Sequence, residues 1–422
     1  MAYGNAIQLL DWQPDAISQT PGVLVDCDGF SPTTKGLKTR PSYVGTGATL
    51  PSTCYGAYSA VLVAGTQLVI AGTATHLYRL QQGTEPLVWI EFDTGGITRT
   101  DGHWHFTVFG NDILAANGGE IQYSHDSAPF VPLHTVSSGT PPIASVVEAV
   151  DEGIFALVPN SQTWWFTVAP TLWIPGIAYE VVSASLQGRP GPITNIRRIR
   201  GGVIAYKERS MYMGQFVGPP FYWAFSPISE TVGTFTHDTM VSMDDVHLFP
   251  SLDDFYQFDG SSLQRIPNNL KETFFNEANA AQLSELIGYY DKTNALALWY
   301  YPTEAGGPIS HVLIYSTRTG KWMKSAVYKD DGTILDVEAF VLPIYTSQGA
   351  TPYWLPPGAA IHAFETVYPT YDTPGAPYNT NLNPASVFNV PAVITANTHE
   401  LMLRTGAPVG GSFTTGEIGD GV

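Results

Sequence analysis

His103 and His105 flank Trp104, and they are the closest thing in this sequence to a metal-binding pair. Alternate residues of a strand point to one face, so two imidazoles spaced in this way could share an ion. No third or fourth ligand follows at a defined spacing. The competing expectation is structural, with both histidines on one side of a strand and Trp104 on the other. Asp244, Asp245, Asp253, Asp254 and Asp259 form a second group, with the carboxylate chemistry that hard cations such as calcium prefer. The group lacks the twelve-residue loop with its glycine and terminal glutamate, so solvated turns between strands are the expectation. The sequence therefore predicts no metal centre.

Arg197, Arg198 and Arg200 are the densest basic cluster of an otherwise acidic chain. Strand alternation places Arg198 and Arg200 on one face and Arg197 on the other. Three roles stay open for them: ion pairs with an acidic neighbouring subunit, contact with DNA in a lumen, or a plain solvent-facing strand. Signatures of catalysis are missing. There is no Gly-x-Ser-x-Gly elbow, no Walker-type phosphate loop, and no recurrent Ser-x-Asp-x-Gly-x-Thr-Trp box. A glycosidase would need two converging carboxylates, and sequence cannot show which of the many acids converge. No catalytic residue and no cofactor is expected.

Whatever these residues do, a repeated sheet must position them. Strand-like runs begin near Tyr58, Trp104, Ala144, Thr194, Thr239, Leu286 and Leu335, a spacing of roughly 46 residues that is the mark of radial repetition. Each run turns through Gly, Asn or Asp, as at Gly110-Asn111-Asp112 or Gly201-Gly202, and returns as a second apolar run. A third run carries aromatic residues, as in Thr163-Trp164-Trp165-Phe166 and Asp254-Phe255-Tyr256-Gln257-Phe258. Weaker fourth strands fit Leu87 to Phe92, Phe221 to Phe225 and Leu263 to Ile266. The expected fold is all-β, a seven-bladed β-propeller over residues 53–342. Periodic Trp-Asp blade endings and kelch-like double glycines are both missing.

Composition agrees with a large β assembly. Charged residues make up 13% of the 422 residues, about half the usual share, while aromatic residues reach 12%; much surface is expected to be covered by neighbours. The net charge of −18 argues against a protein that grips duplex DNA by neutralising phosphates. No charged n-region followed by an apolar h-region opens the chain, and no apolar run of about 18 residues interrupts it; a chain made and used in soluble form is expected. Cys27 and Cys54 are too few to staple a fold of this size and are expected to be buried thiols.

Three segments lie outside the repeat. Residues 1–52 form an N-terminal arm with one strand-like run, Val23 to Val25, followed by Gly- and Pro-containing stretches that argue for turns. Leu270 to Leu283 reads as a short inserted amphipathic helix capped by Asn268 or Asn269. Residues 343–422 hold ten prolines, with strand signals only at Ala359 to Phe364 and Glu400 to Leu403. They read as a Pro-rich appendage that either completes the last blade or docks elsewhere.

The arm segment Pro21-Gly22-Val23-Leu24-Val25-Asp26, then Gly36-Leu37 and Arg40-Pro41, is similar to the opening of the tail proteins of short-tailed bacteriophages. The blade units Val203 to Tyr206 with Ser210 to Tyr212, and His247 to Phe249 with Asp254 to Gly260, resemble the same family. So does the ending, Phe413 to Gly421, which family members follow with a basic strand; the sequence stops first, which leaves open whether residues are missing or the final strand comes from another subunit. The resemblance implies a structural virion protein, and the missing catalytic motifs separately give the expectation that the chain is not an enzyme. It implies a hexameric tail nozzle, assembled in the host cytoplasm, that retains packaged DNA and passes it during ejection. Adaptor and tail-fibre proteins would be its partners, with weak, non-specific contact to genomic DNA. The alternative is a carbohydrate-binding or glycoside-hydrolase-like propeller whose exposed aromatics stack on sugars.

Overall fold

The computed structural model describes residues 11–16, 23–63, 65–81, 87–97, 99–100, 103–176, 180–243, 245–278, 283–303, 307–341, 392–396, 398–404 and 412–415. The chain is a seven-bladed β-propeller. Four arm strands, β1 (Leu24–Asp28), β2 (Phe30–Thr33), β3 (Gly36–Thr39) and β4 (Val44–Thr49), precede the first blade. Blade 1 holds β5 (Ala57–Val61), β6 (Gln67–Gly72), β7 (Leu77–Gln81) and β8 (Val88–Glu91). Blade 2 holds β9 (His105–Phe109), β10 (Asp112–Ala116), β11 (Gln122–His125) and β12 (Val131–Pro132). A two-residue strand, β13 (Ser138–Gly139), leads into blade 3, which is built from β14 (Val146–Val150), β15 (Gly153–Leu157), β16 (Thr163–Thr167) and, after the short β17 (Leu172–Trp173), β18 (Val181–Ser185).

Blade 4 is β19 (Asn195–Ile199), β20 (Gly202–Lys207), β21 (Ser210–Gly218) and β22 (Tyr222–Ser229), and blade 5 is β23 (Val241–Met243), β24 (Val246–Pro250), β25 (Phe255–Phe258) and β26 (Leu263–Arg265). After helix α1 (Lys271–Glu277), blade 6 follows as β27 (Ile287–Asp291), β28 (Leu296–Tyr301), β29 (His311–Ser316) and β30 (Trp322–Ala326). Strands β31 (Val337–Val341), β32 (Ala392–Thr395) and β33 (Glu400–Leu403) make three quarters of blade 7, and β34 (Ser412–Thr415) lies outside it. Every inner strand starts within two residues of the position expected from the repeat.

The seventh sheet has the order β31-β32-β33-β4, so the arm supplies its outermost strand, with Glu400 opposite Thr49 and Leu403 opposite Val44. The boundaries drawn at 52/53 and 342/343 therefore do not separate independent units: the last blade takes strands from both the arm and the appendage. The physical reason is the edge. Pairing the two ends of the chain gives blade 7 its fourth strand. A second junction repeats the device, because β1 pairs antiparallel with β34, bringing Cys27 opposite Phe413.

Two further expectations are corrected. The arm holds a short hairpin, β2–β3, and the six-residue strand β4, where one strand-like run and then turns rather than a second long strand were expected. Pro32 fits there because a two-stranded hairpin is all edge, where a residue without an N–H is tolerated. Helix α1 is shorter than Leu270 to Leu283 and takes its cap from far away: Asp15 of the arm accepts hydrogen bonds from the Glu272 and Thr273 N–H groups (2.7 and 3.0 Å). A neighbouring asparagine was expected in that role. The strand signal at Ala359 to Phe364 lies outside the described residues.

The core is divided between blades rather than gathered at one centre. Phe106, Ile113 and Phe130 of blade 2 pack with Leu68 and Ile70 of blade 1, and Phe155 and Trp164 of blade 3 with Tyr212 and Trp223 of blade 4. The ring is closed by Ile394, Leu401 and Leu403 of blade 7 against Val69, Ala71 and Trp89 of blade 1, with Ala48 and Leu50 of the arm in the same cluster. Because the blades are covered on both faces, their second strands are buried along most of their length, and throughout in Gln67–Gly72 and Leu296–Tyr301. That is why these runs read as continuously apolar instead of alternating. Cys27 and Cys54 are buried free thiols, each pushed up to about 12 by burial. No described helix is long and apolar enough to cross a membrane.

Candidate functional site

Trp104 is wedged between blades 1 and 2, its indole N–H donating to the Thr73 carbonyl at 2.8 Å. A side chain at Gly72 would meet the Trp104 ring at 2.2 Å, so the glycine makes room for it. With Trp104 fixed on this side, His103 and His105 both face the centre of the ring, the alternation that the His-Trp-His order predicts. What they meet is His237 and Asp238, which lie 132 to 135 residues further along the chain. His103 Nδ1–H donates to Asp238 Oδ2 at 2.9 Å, and His105 Nδ1 lies 3.0 Å from His237 Nδ1.

The segment carrying His237 and Asp238 precedes β23 and is held by its own threonines. Thr239 Oγ1–H donates to the Thr236 carbonyl at 2.7 Å, and the Thr236 N–H donates back to Thr239 Oγ1. Blade 6 completes the clamp: the Gly288 N–H and the Trp299 indole N–H donate to the carbonyls of Asp238 and Thr239 (2.6 and 3.1 Å). Glu148 of β14 and Arg197 of β19 form the next layer. Their side chains are 3.4 Å apart, and Arg197 Nη2 lies 3.2 Å from His237 Nδ1.

This cluster sits between two cavities on the ring's axis. One, of about 170 Å³, is lined from five blades by residues including Tyr58, His105, Arg197, Ile287 and Ala339. The other, of about 300 Å³, opens past His103, Asn160, Phe235 and Glu285. The electrostatics follow from enclosure. Burial pushes the His105 imidazole down to about 3. Burial acts to raise the Asp238 carboxyl, but the surrounding histidines hold it well below the usual carboxylate range. Burial is the largest influence on His103 and lowers it, but the bond to Asp238 and the negative charges of Asp238 and Glu285 together raise it overall. Glu148 is likewise lowered by Arg197 and His237 against the pull of burial. The centre thus pairs anionic carboxylates with a neutral His105.

The three arginines separate. Arg197 turns to the axis and Glu148, while Arg198 meets Asp151 at 2.9 Å and Arg200 meets Asp245 at 3.4 Å, both on the exposed rim. Each therefore has an acidic partner on its own chain, from a neighbouring blade. The acids considered for calcium do not converge among the described residues: Asp253 pairs with Arg265, Asp254 accepts from Asn268, and Asp259 accepts the Ser261 and Ser262 N–H groups of its own turn. Asp244 lies outside the described residues. Sequence reasoning missed His237, Asp238 and Glu148, since only ring closure brings them to His105.

No protein-family model and no curated protein matches the chain in sequence. Solved structures similar to it include WD40 propellers. The Pan2 WD40 domain of Neurospora crassa shares 9% identity at a TM-score of 0.46, covering 86% of this chain and 94% of that one. The Doa1 WD40 propeller shares 12% identity at 0.41, covering 70% and 93%. The computationally designed Ika8 protein shares 11% at 0.41, covering 71% and 93%.

Proposed function

We propose that this chain is a structural component of a bacteriophage tail, a nozzle propeller whose copies close into a ring, a hexamer by family resemblance, around the DNA channel. The observation that carries this reading is the junction of the chain ends. Two of the segments that resemble tail proteins, Val23 to Asp26 and Phe413 to Thr415, lie far apart in sequence and share one β1–β34 ladder, with Leu24 opposite Thr415. A propeller tied at both ends suits a part that must hold its shape under the pressure of a packaged genome. Its own axis is blocked by the histidine cluster between the two cavities, so a duplex would pass between copies and not through one.

The charge of −18 supports a passage role. A negative lumen repels phosphate and keeps a moving duplex from sticking. The low charged fraction supports contact with neighbouring copies, as does the long β21–β22 hairpin, whose tip exposes Phe216, Val217 and Phe221. The described tryptophans are buried apart from half-buried Trp165, which favours core roles over sugar stacking. Native mass spectrometry of the assembled protein tests the proposal: a six-copy ring is expected, and persistent monomers that bind glycans would replace it with the lectin reading.

A further inference from the structure

We propose that His105, His237 and Asp238 form a binding site for one divalent transition-metal ion, with zinc as the test ion, at the centre of the propeller. The inference stands apart from the tail reading and needs only the ring geometry.

Three donor atoms converge there. His105 Nδ1 and His237 Nδ1 are 3.0 Å apart, and Asp238 Oδ1 lies 3.7 and 3.6 Å from them. The point equidistant from all three is about 2.0 Å from each, which is the bond length of zinc to imidazole nitrogen and carboxylate oxygen. The imidazole planes meet at 72° instead of stacking. Two nitrogens and one oxygen are a donor set that borderline divalent ions take, whereas magnesium and calcium prefer oxygen alone.

The surroundings supply what an ion site needs beyond its ligands. His103 donates to the other oxygen of Asp238 at 2.9 Å and so aims the first oxygen at the ion. His237 Nε2 is buried without a hydrogen-bond partner. Binding through Nδ1 puts the proton on Nε2, and Glu148 Oε2, 3.8 Å away, is then its acceptor after a small shift. That is the histidine–carboxylate support common around bound metals. The cavities on the two sides leave positions open for water or a small ligand. Arg197 is the opposing charge. Its Nη2 is 3.2 Å from His237 Nδ1, and the ion requires it to move wholly onto Glu148, which its Nη1 already meets.

His76, Glu91 and Asp93 are a second place where such groups meet, but Asp93 is committed: its oxygens accept the N–H groups of Leu77 and Gly95, each at 2.7 Å. This makes His76 a control.

The full-length protein, stripped with a chelator and dialysed against limiting zinc, should retain one zinc per chain. His105→Gln and Asp238→Asn should each weaken zinc binding at least tenfold in competition with a chromophoric chelator, while His76→Gln leaves it unchanged. Zinc-edge X-ray absorption on the wild-type protein removes dependence on how the variants fold, because it should report two imidazoles at about 2.0 Å. Failure to retain zinc, an all-oxygen coordination shell, or undiminished binding by folded His105→Gln would each overturn the proposal.

Discussion

Acid should cost this protein stability through His247 before most of its carboxylates titrate. His247 is fully buried on β24 between two fixed partners. Its Nε2–H donates to the Arg198 carbonyl at 2.9 Å, and its Nδ1 accepts the Tyr206 hydroxyl at 2.8 Å. Both nitrogens are thus satisfied by one neutral tautomer. Burial pushes its pKa down to about 4, overcoming the bond to Arg198, and Arg197 adds a smaller push in the same direction. In the unfolded chain the same imidazole titrates near 6.5. Between these values the unfolded state binds the extra proton, so stability rises with pH there. The contribution is complete above about pH 6.5 and is lost as pH falls through about 4. With 1.36 kcal/mol per unit, the loss by pH 4.5 works out at about 2.5 kcal/mol.

His247→Gln isolates this amount, because a glutamine amide can donate to Arg198 and accept from Tyr206 without titrating. Urea unfolding of both proteins at pH 7.5 and 4.5 gives the comparison. Other buried histidines, His105 among them, contribute equally to both and cancel. Wild type should lose about 2.5 kcal/mol more than the variant on acidification, with the urea slope unchanged. Equal losses would refute the reasoning and show that His247 is solvated or already protonated in the folded state.

Arg404→Leu should destabilise by about 3 kcal/mol or more in urea, since it removes the cation paired at 3.1 Å with Asp291, whose side chain is 2% exposed and would keep the neutral donors of Asn294. Adding Asp291→Leu should recover part of that loss, and additive effects would show that the two side chains do not depend on each other. Deleting residues 1–50 removes β4 and leaves β33 as a bare edge beside blade 1; the product is expected to aggregate on size-exclusion chromatography, and a monodisperse, cooperatively melting product would contradict ring closure by the arm. Arg198→Ala with Arg200→Ala should leave chain stability within about 0.5 kcal/mol, because both pairs are exposed. A larger loss in urea would mean that the rim pairs support the fold. Phe221→Asp, at the exposed hairpin tip, should reduce the ring to smaller species by native mass spectrometry; intact rings would remove that hairpin from the subunit contact.

The sequence by itself determined the number of blades and where each begins. A sheet's repeat is written locally: an apolar run, a turn residue and an aromatic third strand recur because every blade faces the same neighbours, as at Val203 to Tyr212 and again at His247 to Phe258. It also determined that His103 and His105 share a face, since alternation along a strand is a property of the backbone. Tertiary structure alone decided what stands opposite them. Asp238 reaches His103 across 135 residues, Asp15 caps a helix 257 residues away, and Thr49 pairs with Glu400. Such partners leave no periodic trace, because they are chosen when the ring closes. That closure depends on the summed twist and packing of all seven blades and on no single stretch of the chain.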